Sequence, residues 1–139
     1  MAVKQILPQF NRESRMEESR IRQMSPAALS FVGDSVFELY VRTMLLEKGL
    51  RTADKLNRNK VKIVNAKAQA ALAEKIEDLL SEEEHEIYRR GKNAKQHSFA
   101  KNQSMADYHK ASGLEALMGY LYLQGEDGRI RELLQEISG

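Results

Sequence analysis

The chain reads as an all-α domain. No stretch alternates apolar and polar residues with period two for long enough to make a convincing strand. Helix-start and helix-stop residues recur along its length, and two runs, 27–46 and 111–123, are apolar nearly all the way round. A helix apolar on every side is normally buried.

Taken in order, residues 11–23 are charge-rich and are expected to be partly helical, within an N-terminal extension over 1–24. Ser25-Pro26 starts the first apolar helix: Ser caps it, and Pro at the first helical position loses only an N–H that has no intrahelical acceptor. Lys48 and Gly49 end it, the cation lying at the negative end of the helix dipole. Thr52 caps a short turn, and 61–80 is expected to be one long amphipathic helix. Ser81-Glu-Glu-Glu84 forms a capping box for a helix ending at Gly91. Residues 92–110 are polar, basic and weakly periodic, and most of them are expected to form an exposed loop, with Ser104 and Asp107 able to cap an extension of the second apolar run. Gly125 closes that helix, and 128–137 forms a short last one.

At 139 residues the chain can bury one core, so residues 25–139 are expected to form a single domain. It contains no Cys, which excludes disulfides and thiolate metal sites. The first residues lack the apolar segment of a signal peptide, and no uncharged run approaches the ~20 residues of a membrane span. A cytoplasmic protein without membrane association is expected. The net charge of +2 hides segregation: 51–71 holds six basic residues against one acidic, 72–86 seven acidic against one basic, and 87–110 six basic against one acidic. Such blocks are either solvated helix faces or two arms of a polyanion-binding surface.

The chemistry is expected on the two apolar helices, because each carries a carboxylate. Asp34 lies mid-run in the first, and Glu115 is the only charged residue of the second. An ionised carboxylate inside an apolar helix is costly unless a cation or hydrogen bonds compensate it. Ser30, Asp34 and Glu38 drift only about 40° per step and share a polar stripe, and Gly33 beside it permits close approach of another backbone or a phosphate. Ser112, Glu115 and Gly119 share a face in the same way. Pairing the helices would join Asp34 to Glu115, with Ser30 and Ser112 nearby. Hard oxygen ligands point to Mg²⁺ or Mn²⁺ rather than zinc; the alternative is a pair of salt bridges to Arg42 or a lysine. Glu38 and Arg42, one turn apart, form such a pair more naturally.

Phe31-Val-Gly-Asp-Ser-Val-Phe-Glu38 resembles the signature of the ribonuclease III family, and Leu114-Glu-Ala-Leu-Met-Gly-Tyr-Leu-Tyr-Leu123 resembles that family's second acidic motif. Ile63-Val-Asn-Ala-Lys-Ala-Gln69 and Arg89-Arg-Gly-Lys-Asn-Ala-Lys95, with a length that leaves no room for a double-stranded RNA-binding domain, resemble its Mini branch. The resemblance spans about 22–134. It implies a homodimeric helical bundle that cuts double-stranded RNA with Mg²⁺, leaving 5′-phosphate and 3′-hydroxyl ends. For the Mini branch it implies trimming of precursor 23S ribosomal RNA, with a ribosomal protein or pre-ribosomal particle as a further partner. The catalytic and metal-binding acids fall on Asp34 and Glu115. Two positions that are acidic in the larger enzymes are Ser30 and Ser112 here, which leaves open whether one metal or two act.

On this resemblance the RNA surface is expected at Lys60 and Lys67, sharing a face of one helix, and at Arg89, Arg90, Lys92, Asn93 and Lys95, with Lys62 merely solvated and Gly91 turning into a phosphate-facing loop. Phe31, Val32, Phe37 and Tyr40 are candidates for core or dimer interface. Two rivals remain. Glu82-Glu-Glu-His85 contains a Glu-x-x-His unit of di-iron bundles, but such sites need two copies. A non-catalytic RNA-binding or ribosome-assembly protein on the same fold would explain the serines but not the retained acids.

Overall fold

A computed structural model of the protein describes residues 16–94 and 104–137, and the described residues form helices and turns with no strand. Seven α-helices follow in order: α1 (Glu18–Arg22), α2 (Pro26–Glu47), α3 (Ala53–Ile63), α4 (Ala66–Ile76), α5 (Glu82–Lys92), α6 (Met105–Leu123) and α7 (Asp127–Leu134), with a 3₁₀ turn at Glu77–Leu79. None is long and apolar enough to cross a membrane.

Local chemistry sets most boundaries. Side chains of Ser25, Thr52, Asn65, Ser81 and Ser104 accept the N–H three residues on, capping α2 to α6. The box at Ser81 is complete: its hydroxyl accepts from Glu84 N at 3.2 Å, and its N–H donates to Glu84 Oε1 at 2.9 Å. Gly49 (φ 98°) and Gly125 (φ 78°) end α2 and α6 in the left-handed conformation. Leu50 N then reaches Leu45 O at 3.2 Å and Glu126 N reaches Leu121 O at 2.9 Å, the six-to-one bonds of a Schellman turn.

Three expectations need correction. The long helix over 61–80 is two helices, because Asn65 leaves helical geometry (φ −156°, ψ 160°) and its side chain caps α4 instead. Lys60 and Lys67 therefore stand on different helices, α3 and α4. The second apolar helix starts at Met105, capped by Ser104 as the sequence allows, so 105–110 are helical rather than loop. Gly91 does not end α5; it is a buried contact, where a Cβ would lie 2.7 Å from that of Ala116. The expected N-terminal helix over 11–23 lies partly outside the described residues, which show α1 within it.

The core centres on α6, packed between α2, α4 and α5. All of 111–121 is buried except Glu115, which is half-buried. Burial of α2 is one-sided: Leu29, Val36, Phe37, Tyr40, Val41 and Leu45 face the core, whereas Phe31 is 81% exposed and Leu39 and Leu46 are also exposed. The expectation of all-round burial thus holds for α6 and fails for α2, whose outer side no helix among the described residues covers. Of the four residues assigned to core or interface, Phe37 and Tyr40 are core, Val32 is half-buried and Phe31 is open.

Where α2 crosses α6 the backbones nearly touch. A Cβ on Gly33 would lie 1.6 Å from the carbonyl oxygen of Glu115, and one on Gly119 would lie 2.1 Å from that of Leu29. Neither carbonyl can move without breaking its own helix. Gly119→Ala should therefore cost about 3 kcal/mol in chemical denaturation, at the upper end of overpacking penalties. Gly128→Ala, where a Cβ meets nothing within 4 Å, should be neutral or slightly stabilising. Equal midpoints for the two variants would contradict this crossing.

Candidate active site

The glycine crossing brings the two acids together. Asp34 leaves α2 one residue after Gly33, and Glu115 leaves α6 at the point where its own carbonyl packs on Gly33. Their side chains are close enough to hydrogen-bond. Asp34 is exposed rather than buried, because it lies toward the uncovered side of α2, and Glu115 is half-buried. Ser30, one turn before Asp34, donates its hydroxyl to the backbone carbonyl of Ser112 at 3.0 Å. Both serines therefore sit beside the acids, with the Ser30 proton engaged in joining α2 to α6. Among the described residues no group of three or more His, Asp or Glu side chains is assembled, so the acidic donors are this pair.

The salt-bridge alternative is not what the described residues show. Arg42 turns to Glu38, its Nε lying 2.8 Å from Oε2, and Lys60 Nζ reaches the same oxygen at 3.3 Å. The Arg42 hydrogen bond, reinforced by Lys60, holds the Glu38 carboxyl below the usual carboxylate range despite its partial burial. Among the described residues no Lys or Arg pairs with Asp34 or Glu115.

The polar partner of Glu115 is Gln69, whose Nε2 donates to Glu115 Oε2 at 3.2 Å. It was not among the expected site residues, although its position gave a signal. Ala66, Gln69, Ala70, Leu72, Ala73 and Ile76 line the buried side of α4, and Gln69 is the one polar residue on that stripe. Burial pushes the Glu115 carboxyl up to about 7; the Gln69 bond opposes this, and the neighbouring Asp34 charge adds to it.

The expected RNA-facing residues are scattered. Lys67 and Arg89 are exposed on α4 and α5, Asn93 is the exposed C-cap of α5, and Lys92 lies over the Tyr88 ring, 5.5 Å from its centre. Arg90 turns inward, donating to the carbonyls of Arg22 (3.4 Å) and Met24 (3.1 Å), where it ties α5 to the α1–α2 connection. Lys95 lies outside the described residues. In the Glu82-Glu-Glu-His85 unit, Glu84 binds Arg129 at 2.8 Å and His85 contacts Glu77 at 3.1 Å; both are accounted for by packing.

A raised carboxylate pKa means that the folded chain holds a proton the unfolded chain releases. Stability from this source is complete below about 4.5 and is lost as pH rises through about 7. In EDTA, the protein should lose about 2 kcal/mol between pH 5 and 8 relative to Glu115→Gln, whose profile lacks that fall. Parallel profiles would return Glu115 to an ordinary carboxylate value.

Comparison with known proteins places this geometry in a group. The Ribonuclease III domain model matches residues 27–126. The Mini-ribonuclease 3 of Clostridium tetani is 39% identical over 116 residues, covering 83% of this chain and 77% of that protein. The Mini-ribonuclease 3 of a Thermoanaerobacter species is 44% identical over 115 residues, covering 83% and 81%. A Fusobacterium nucleatum protein of known crystal structure is similar in fold, with a TM-score of 0.75 and 34% identity, over 83% of this chain and 92% of that one.

Proposed function

The chain belongs to the ribonuclease III family of endoribonucleases, and we propose that it cleaves double-stranded RNA with Mg²⁺ held by Asp34 and Glu115, Mn²⁺ substituting. One observation supports the site assignment above all. Two adjacent carboxylates face each other with no Lys or Arg of the described residues to neutralise them, and burial and mutual repulsion keep a proton on Glu115 up to about pH 7. Such a pair suits a hard divalent cation: it offers oxygen donors and two negative charges, as Mg²⁺ sites completed by substrate phosphate do. Bound there, the cation would supply Lewis-acid charge for hydrolysis of a phosphodiester to 5′-phosphate and 3′-hydroxyl ends.

The chain's own part is to hold and to orient. Asp34 and Glu115 provide the ligands on two helices locked by the glycine crossing. Ser30 and Ser112 keep the neighbouring turns of α2 and α6 in register. Lys60, Lys67, Arg89, Lys92, Asn93 and Lys95 serve the RNA backbone, whose A-form shape is read through phosphates and 2′-hydroxyls more than base edges. Glu38 places Arg42 and Lys60 side by side one turn from Asp34, adding positive charge near the site. Arg90 is left out of this surface because its guanidinium is spent on backbone carbonyls. Likeness to the Mini branch supports precursor 23S ribosomal RNA as the natural substrate, in the cytoplasm, presented with a ribosomal protein or as a pre-ribosomal particle.

A homodimer is part of this reading. Ala27, Ala28, Phe31, Ser35, Leu39, Arg42 and Leu46 are exposed along one side of α2, and a second copy meeting it about a twofold axis would cover Phe31. Phe31→Arg should shift the protein from dimer to monomer by light scattering; a wild type that is monomeric at high concentration would overturn the dimer.

The decisive assay is incubation with a long RNA duplex in Mg²⁺ or EDTA. Cutting should require the metal. Asp34→Asn and Glu115→Gln should each fold, bind RNA and cut at least about 100-fold more slowly, since even indirect partners of a metal are worth 10–100-fold. Normal cutting by Asp34→Asn would end the assignment. RNA binding should weaken steeply between dilute and physiological salt, and indifference to salt would argue against the basic contacts.

A further inference from the structure

Gln69 stands 5% exposed on α4, facing α6 from the buried stripe of that helix, with its amide on Glu115. Burying a primary amide is costly without a hydrogen-bond partner, and the neighbours of Gln69 on the stripe are alanines, a leucine and an isoleucine whose side chains offer none. Two features make the arrangement more than packing. Glu115 has three rotatable side-chain bonds, and among the described residues Gln69 and Asp34 are the side chains shown to engage it. Gln69 also takes only one of its two oxygens, Oε2, by donation from Nε2.

We propose that Gln69 is a positioning residue: its neutral amide pins one oxygen of Glu115 and so fixes the carboxylate beside Asp34 as a ready-made cation ligand. The inference rests on the assignment of Asp34 and Glu115 as the cation-binding pair. Neutrality is the essential property. A lysine here would orient Glu115 equally well but would cancel the negative charge that attracts the cation. An aliphatic residue would leave the charge and lose the orientation. An amide donates a hydrogen bond and adds no net charge, so the pair keeps its attraction and gains a defined geometry. Asn65 supports it from the start of α4: its side chain accepts from Ala68 N at 2.8 Å and fixes the first turn from which Gln69 projects.

The test uses Mn²⁺ alone as probe, titrated into the full-length protein and followed by electron paramagnetic resonance, with duplex cleavage measured in parallel. Gln69→Met keeps length and burial but has no donor; Gln69→Asn keeps the amide but is one methylene too short to reach. With far-UV circular dichroism and denaturation midpoints near wild type, each should bind Mn²⁺ about tenfold more weakly and lower kcat about tenfold, leaving the KM for RNA unchanged. Wild-type Mn²⁺ affinity in either folded variant would overturn the proposal and reduce Gln69 to a packing residue. Asp34→Asn and Glu115→Gln run beside them. If those lose Mn²⁺ and the Gln69 variants do not, only the positioning role fails; if those bind Mn²⁺ as wild type does, the cation site itself fails.

Discussion

The contact on which the rest depends is the crossing of α2 and α6 at Gly33 and Gly119. With no side chain at either position, the carbonyl of each helix lies against the other's backbone, so the separation is fixed by main-chain atoms that cannot adapt. Glu115 contributes both its carbonyl to the crossing and its carboxylate to the site, and Asp34 is the immediate neighbour of Gly33. The acids are therefore positioned by a backbone-to-backbone helix contact, without reliance on a loop. α6 can play this part because it is enclosed along 111–121, and an enclosed helix has no freedom to roll.

Charge is handled in two opposite ways within two turns of α2. Glu38 is satisfied by Arg42 and Lys60, and its carboxyl is held low. Asp34 and Glu115, a turn away, face each other without a cation from the described residues, and burial drives Glu115 up to about 7. Arg42 and Lys60 both go to Glu38, and among the described residues no Lys or Arg pairs with Asp34. The uncompensated pair is thus a cost that the fold carries in a fixed location. Buried or half-buried charge left in that state is the usual mark of a site that expects a ligand.

Much of this was legible in the sequence because it is local. Ser25-Pro26, the Ser81 box and the terminal glycines at 49 and 125 act through atoms within four residues, so their outcome follows from their order. The juxtaposition of Asp34 with Glu115 was legible too, since two apolar helices with one acid each have few ways to pack. What escaped was set by tertiary competition. Asn65 lies within a periodic pattern that reads as one helix, and only the geometry shows that its side chain starts a new one. The uniform hydrophobicity of α2 could not reveal which side the chain leaves open, so Asp34 was expected inside and stands outside. Arg90 belongs to a basic run, but two free carbonyls near the start of α2 claim it. Gln69 was visible as a polar residue on an alanine stripe, but its partner lies on another helix, 46 residues away.

The two helices that carry the acids also differ in how far the described residues enclose them. Glu115 rises from an enclosed helix and is tethered by an amide; Asp34 rises from a helix with one side bare. On the proposed reading the site is held on its α6 side, and covering the bare side of α2 would complete it. A second copy of the chain laid on Phe31 would bury the flank of the helix that bears Asp34, and would restrain the ligand that nothing within the described monomer holds as firmly as Gln69 holds Glu115. On the proposed reading dimerisation and cation binding would be coupled through α2, because both would act on a helix whose outer side the described residues leave exposed.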